Sequence, residues 1–311
     1  AKAVAAYLGT DHTELYVSPS QAFDVIRRLP GMYGEPFADS SQIPTYLVSE
    51  LARRDVTVSL SGDAGDELFC GYNRYAITAR LWGRLAAIPS PLRAMAARGI
   101  SAISPATWDR LLAYTPGSRR WKNLGDKLHK GARVLKSSSA DALYQGIVSL
   151  DNDPERCVRD GHEPPTRLGP GITDSGRMGT IERMMLLDTL TYLPDDILVK
   201  VDRAGMALSL EGRIPFLDHR VATYAWQLPI EYKLRGHESK WALRQVLYRY
   251  VPASLIERPE MGFGVPLDEW LRGPLKGWVD ELISKDRLHR DGYFDPSVVR
   301  RLWDEHLSGR Y

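Results

Sequence analysis

Hydrophobic positions recur at two different periods along this chain, and the two periods mark different elements. Residues 2–8 (KAVAAYL) space apolar side chains three and four apart and stop at Gly9, which predicts a short helix. Residues 12–17 (HTELYV) alternate and are rich in β-branched and aromatic types, so a strand is expected there. Ser20 is placed to cap a helix ending near Gly31, and Pro44 fits the first turn of another running through Leu51 to Arg53. Residues 56–60 (VTVSL) form a short apolar run of the kind found in a strand covered on both faces. From about residue 76 onward strand alternation is lost, and apolar spacings of three and four broken by Pro and Gly predict a mostly helical remainder. Within it, residues 161–180 carry eight Gly or Pro and read as a long loop.

Composition narrows the class. A chain of 311 residues with 43% hydrophobic and 26% charged side chains has the make-up of a soluble globular protein of one large or two ordinary domains. No stretch approaches the roughly 20 apolar residues of a spanning helix, and the first residues lack a signal-peptide pattern, so no membrane role is expected. Two cysteines, Cys70 and Cys157, are too few for a disulfide framework and point to a reducing, cytoplasmic location. A formal net charge of +2 supplies no global field for nucleic acid. The local basic run is Arg119, Arg120, Lys122, Lys127, Lys130, Arg133 and Lys136, which reads first as a solvated helix face. A chain that opens on a helix and reaches its best strand at residue 56 is expected to be an N-terminally truncated parallel-sheet protein. Residues 1–75 then form the C-terminal portion of an α/β sheet and residues 76–311 a mostly helical remainder.

Candidate chemistry concentrates in three segments. The run at 56–60 leads directly into Ser61-Gly62-Asp63-Ala64-Gly65-Asp66-Glu67 and on to Tyr72. A strand, a Gly-rich acidic loop and then a helix is the arrangement in which α/β folds hold ligands, with small residues allowing close backbone approach and carboxylates suited to magnesium beside a polyphosphate. The competing reading makes Asp63 a helix N-cap answered by acids in the first turn. In the second segment, residues 192–218, Pro194 reads as a helix start, Ile197, Val201, Ala204 and Leu208 form a core stripe, and Asp202, Arg203, Glu211 and Arg213 an ion-pair lattice. There Asp218 caps a helix through Trp226. The third is Glu238-Ser-Lys240, opening a helix through Arg244, followed by a Gly-rich turn at 261–266. A lysine at a helix start opposes the dipole, and a nearby anion would remove the conflict. The seven histidines lack metal spacing, and no Gly-x-Ser-x-Gly elbow occurs.

At these residues the sequence resembles the synthetase domain of glutamine-dependent asparagine synthetases. Ser61 through Tyr72 match the family's adenylate-binding loop with Ala64 and Cys70 in place of glycines. The segments at 35–44 (EPFADSSQIP), 193–203 (LPDDILVKVDR), 209–218 (SLEGRIPFLD) and 261–266 (MGFGVP) resemble further family signatures in the same order, nearly end to end. The resemblance implies an ATP pyrophosphatase, adenine nucleotide α hydrolase-like α/β fold. It also implies a two-step reaction in which ATP adenylates the aspartate side-chain carboxylate and ammonia then gives asparagine, AMP and pyrophosphate. By motif match Ser61 and Gly62 hold the nucleotide, Asp63 serves formation of the intermediate, Asp66 faces magnesium, and Lys240 stabilises phosphate charge. The family's Ser-Gly-Gly-x-Asp-Ser loop and its N-terminal glutaminase domain, which supplies ammonia from glutamine, lie upstream of the matched region; both are expected in a longer parent. A homodimer is a candidate assembly. Relatives with Asp at position 63 widen the acceptor to uronic acids, β-lactam precursors or peptides. A reading of another class, a non-catalytic nucleotide-binding or interaction module, stays open.

Overall fold

The structure, a computed structural model, describes residues 1–112, 124–151, 153–164, 178–257 and 265–309. The chain divides into two compact units, Ala1–Tyr75 with Ile181–Pro266 and Ala76–Thr180 with Leu267–Tyr311. Both are mostly helical, and the described strands lie in the first unit.

In the first unit, Lys2–Leu8 is helical and closes on Gly9 in the left-handed region (φ +66), as its local signals require. Ser18 caps the helix Pro19–Ile26, with Gln21 completing a reciprocal capping box. The expected cap at Ser20 is therefore displaced by two residues, and a separate turn, Leu29–Met32, replaces the run to Gly31. Residues 12–17 are not a strand: they lie outside any ladder, Tyr16 is 84% exposed, and Glu14 instead pairs locally with Lys2, His12 and Tyr16. Alternation without a ladder partner leaves nothing to stabilise the strand.

The helix Gln42–Arg53 holds Pro44 in its first turn and buries Ile43, Tyr46 and Leu47. Strand β1 (Val58–Leu60) follows, parallel to β2 (Glu211–Arg213), with Val58 opposite Glu211 and Leu60 opposite Arg213. The expectation of a strand covered on both faces fails, because Val58 and Leu60 stay exposed and β2 is its ladder neighbour among the described residues. The remainder after residue 76 is mostly helical as expected, and its short strands among the described residues escape alternation: β2 is a three-residue polar segment, and β3 (Leu234–Arg235) and β4 (Glu238–Ser239) form a minimal hairpin turning at Gly236 (φ +65).

Pro194 stands in the first turn of a helical segment with Asp195 and Asp196, as expected, but that turn is of the wider, π type. The π-helical stretch, Leu193–Leu198, leads into the helix Val199–Met206. The wider turn accommodates a residue that cannot donate a backbone hydrogen bond. Leu193 and Ile197 of this stretch pack with Ala64, Leu68, Phe69 and Ala225 into a core cluster that anchors the segment after β1. Helix Val199–Met206 lies against Gln42–Arg53. Asp218 caps His219–Gln227 by accepting from the Arg220 N–H, as its position before an apolar run predicts.

The second unit is built from Ala76 onward by Ser90–Ser101, Pro105–Leu112, Leu124–Leu135 and Ala140–Val148, with Leu267–Arg272, Lys276–Leu282, Lys285–Asp291 and Pro296–Leu307. Buried Arg93 donates to the carbonyls of Ile88 and Ser137, and Trp303 donates to Asp280, so these buried or half-buried donors are paired inside the unit. Lys127, Lys130 and Arg133 of the basic run lie on Leu124–Leu135, with Lys136 next to its end. Arg119, Arg120 and Lys122 lie outside the described residues, as do most of the loop at 161–180 and the turn residues 261–264.

Candidate active site

The site is assembled at the carboxyl end of β1. The Ser61 N–H donates to the Arg213 carbonyl at 3.0 Å, prolonging the parallel ladder by one bond before the chain turns away. Ala64 takes φ +66, and Gly65–Leu68 forms one helical turn with Asp66 and Glu67 at its start. Asp63 is not the N-cap of that turn. Its carboxylate accepts from the Ser61 hydroxyl at 2.8 Å, and the cap residue is Ala64 with no side-chain bond, so the capping reading of Asp63 is overturned. Gly62 is exposed, and a side chain added there would meet no atom within 4 Å.

Asp66 and Lys240 meet across the sequence. Lys240 occupies the N-cap of Trp241–Leu247 at φ +53, and its ammonium lies 2.9 Å from Asp66 Oδ1. The lysine at the positive end of a helix dipole thus has the anion its position called for. Gly71 backs this pair: its N–H donates to the Asp66 carbonyl at 2.8 Å, and a Cβ at Gly71 would fall 1.7 Å from Asp66 Oδ1. Ser61, Gly62, Asp63 and Asp66 share one turn, and Lys240 joins them through Asp66.

Behind the loop lies a buried polar network. Glu67, 1% exposed, accepts from the Tyr72 hydroxyl at 2.6 Å. Burial outweighs that bond and pushes the Glu67 carboxyl above its ordinary value, while burial and the Glu67 charge push the Tyr72 hydroxyl well above the phenolic range. The Arg74 guanidinium stacks 3.7 Å from the Tyr72 ring centroid and 4.9 Å from that of Tyr192. It donates to Asp188, whose buried carboxylate also accepts from the Tyr75 hydroxyl at 2.6 Å. Cys70 is buried at φ +59 with its thiol raised to about 11 by burial, which makes it packing rather than a nucleophile.

A second polar group sits where Gln42–Arg53 begins. Lys200 donates to Asp39 Oδ2 at 2.6 Å and lies 3.8 Å from Asp196 Oδ1. Burial opposes ionisation of Asp39, but its bonds from Lys200 and Ser41 prevail and hold it below the usual carboxylate range. Burial and the neighbouring Asp39 raise Asp196 to about 6.

Sequence reasoning missed Arg74, Asp188, Asp39 and Lys200. Asp188 carried a usable signal, being an acid beside Met184, Met185 and Leu187 on one buried helix face, where it requires a partner. Of the expected lattice, Glu211 and Arg213 pair at 2.8 Å on the surface. Arg74, Asp188 and Lys240 each make contacts beyond those named.

The loop now has comparisons. The family model for asparagine synthase matches residues 1–311. The chain is 30% identical to asparagine synthetase [glutamine-hydrolyzing] 1 of Bacillus subtilis over 100% of its own length and 46% of that protein. It is 33% identical to a putative asparagine synthetase [glutamine-hydrolyzing] of Mycobacterium bovis, covering 99% of this chain and 45% of the relative. A more distant match, 22% identical over 80% of this chain and 38% of the relative, is an amidase, chyE, of Penicillium rubens. The chain therefore spans about half the length of the asparagine synthetases it matches.

Proposed function

Because the chain belongs to the asparagine synthase family, we propose that it carries the synthetase half of an ATP-dependent amide-forming ligase. The observation that most supports this is the Gly-rich acidic loop at the end of a parallel strand, with a lysine delivered from a distant helix to its second carboxylate. The acceptor is aspartate or a related carboxylate, and the nitrogen is ammonia released from glutamine by a glutaminase domain in the parent polypeptide. In the first step an acceptor carboxylate oxygen attacks the α-phosphorus of ATP, the α–β bridging bond breaks, and pyrophosphate leaves. In the second, ammonia attacks the acyl carbon of the mixed anhydride, AMP departs, and a proton is lost from nitrogen to give the amide.

The residues divide these tasks. Ser61 and the open backbone at Gly62 receive the nucleotide, since no side chain intervenes at Gly62. Lys240 sets a compact positive charge against the phosphate oxygens as negative charge develops on the leaving group. Asp63, whose carboxylate is oriented by the Ser61 hydroxyl, guides formation of the intermediate and the approach of ammonia. Two carboxylates, Asp63 and Asp66, three residues apart and incompletely neutralised by one lysine, are an oxygen donor set suited to magnesium, with Asp66 as the expected ligand. Bound there, magnesium would shield the phosphate charge. The network of Glu67, Tyr72, Arg74 and Asp188 keeps the loop from collapsing on itself.

The test is acceptor-dependent pyrophosphate release by the full-length polypeptide, with a panel of carboxylates including aspartate, uronic acids and amino-acid derivatives, supplied with glutamine or ammonium. One member should stimulate release together with stoichiometric AMP. Release independent of every acceptor, or ATP binding without turnover, would favour the non-catalytic module instead.

A further inference from the structure

The cluster around Lys200 contains more polar capacity than its internal bonds use. Tyr33 is 8% exposed and Gln42 6%. Among the described residues the Tyr33 hydroxyl, Gln42 Oε1 and Asp196 Oδ1 are buried without a hydrogen-bond partner. Orphaned buried polar atoms are costly, so three of them within one short stretch of fold mark a place that something else completes. The Tyr33 ring is held by stacking on Phe37 at 4.8 Å, and Gln42 donates to the Phe37 carbonyl, so these side chains are fixed beforehand. Burial raises the Tyr33 hydroxyl to about 12, and the charges of Asp39 and Asp196 act on it in the same direction.

We propose that Asp39, Asp196, Tyr33 and Gln42 form a binding site for a primary ammonium group, reached through the part-exposed carboxylates of Asp39 and Asp196. The donors a ligand must bring follow from what is unfilled: a carboxylate oxygen, an amide oxygen and a phenolic oxygen all accept N–H bonds. Charge agrees. With both acids ionised, Lys200 neutralises one of two carboxylates, and a second cation restores balance. Asp196, raised to about 6 by burial and by Asp39 even with Lys200 opposing, is the group a further cation would keep ionised.

Position links the cluster to chemistry. The Tyr192 ring sits edge-on to Tyr72 at 5.9 Å, and its hydroxyl feels Asp39 and Asp196 as well as Glu67 and Arg74. One aromatic side chain thus contacts the Ser61–Tyr72 loop and lies within the field of the cluster's carboxylates. An amino acid whose carboxylate faces that loop would bring its α-ammonium toward Asp196, an assignment that rests on the amide-forming reading above. Free ammonium, as nitrogen donor, has the same chemistry and is the other source.

Steady-state kinetics on the full-length polypeptide separate the two sources. Tyr33→Phe removes one orphan hydroxyl and keeps the ring, so a fold held only by packing would be untouched. Loss of one bond to a charged group should raise the relevant KM by about 10-fold to 100-fold, with the KM for ATP within about twofold. A rise confined to the acceptor assigns the site to the amino acid, and a rise confined to ammonium chloride assigns it to the nitrogen donor. Unchanged KM values for both in Tyr33→Phe and in Asp196→Asn would overturn the site. If no carboxylate supports turnover, the amide-forming reading fails separately, and calorimetric titration with methylammonium chloride against tetramethylammonium chloride at equal ionic strength still decides. Methylammonium heat that disappears in Asp196→Asn supports the site, and equal heats for the two cations overturn it.

Discussion

Two glycines nine residues apart in one loop, Gly62 and Gly71, should fail in opposite ways when each is given a methyl group. At Gly71 an added Cβ would stand 1.7 Å from Asp66 Oδ1, 2.6 Å from its Cγ and 2.8 Å from its Cα. Rotating the Asp66 side chain relieves the first two contacts at the expense of the 2.9 Å pair with Lys240, a part-exposed bridge contributing about 0–1 kcal/mol. The third contact is with backbone, and the Gly71 N–H is bonded to the Asp66 carbonyl, so the loop itself must shift. Overpacking of this kind costs about 1–3 kcal/mol. For a unit of this size each kcal/mol moves Tm by about 2–4 °C, so Gly71→Ala should melt roughly 2–12 °C lower and also lose turnover, because Asp66 and Lys240 separate. At Gly62 the same methyl meets nothing. Gly62→Ala should melt within about 2 °C of wild type yet raise the KM for ATP, since the open backbone is reserved for the nucleotide. Differential scanning fluorimetry, with and without magnesium–ATP, and a pyrophosphate-release assay read both effects. Wild-type melting and turnover for Gly71→Ala, or equal destabilisation by the two variants, would refute the reasoning.

The remaining predictions address single side chains. Lys240→Ala should leave stability within about 1 kcal/mol while lowering pyrophosphate release roughly 10²–10³-fold, and Lys240→Arg should rescue only in part, because a planar guanidinium does not reproduce a compact ammonium; paired melting and rate measurements check this. Asp63→Asn should strongly reduce intermediate formation, followed by carboxylate-dependent pyrophosphate exchange, with little change in melting, since Asp63 accepts from Ser61 and does not cap the helix. Glu67 is raised above 4.5 by burial, so the folded state keeps its proton longer than the unfolded chain; stability is full below about 4.5 and falls as pH climbs through the raised value. Glu67→Gln should flatten that decline in a Tm series from pH 4 to pH 8.

What the sequence displayed follows from how local each signal is. Gly9, Asp218 and Pro44 act within one turn, so the ends or starts of their helices were legible. Strand β1 was legible from its β-branched run, but its exposure was not, because coverage is a tertiary property. Residues 12–17 misled because alternation describes a face and supplies no partner for it. Strand β2 left no apolar trace, and Pro194 marked a helix start without revealing that the first turn is π-helical. The acidic loop announced itself, whereas Asp39 and Lys200 stand 161 residues apart and signal nothing until folding joins them. Lys240 was flagged by its conflict with the helix dipole, and Asp66 is the partner that conflict required.

The most direct test of an acyl-adenylate mechanism follows an oxygen atom. The full-length polypeptide, supplied with ATP, a nitrogen donor and an acceptor whose carboxylate carries ¹⁸O, should transfer one ¹⁸O per turnover into AMP, because the attacking carboxylate oxygen stays on the α-phosphorus when ammonia releases the amide. Mass spectrometry of the nucleotide would show AMP heavier by one label, and the signal should collapse in Asp63→Asn. Unlabelled AMP, or label appearing in inorganic phosphate with ADP as the product, would contradict the account.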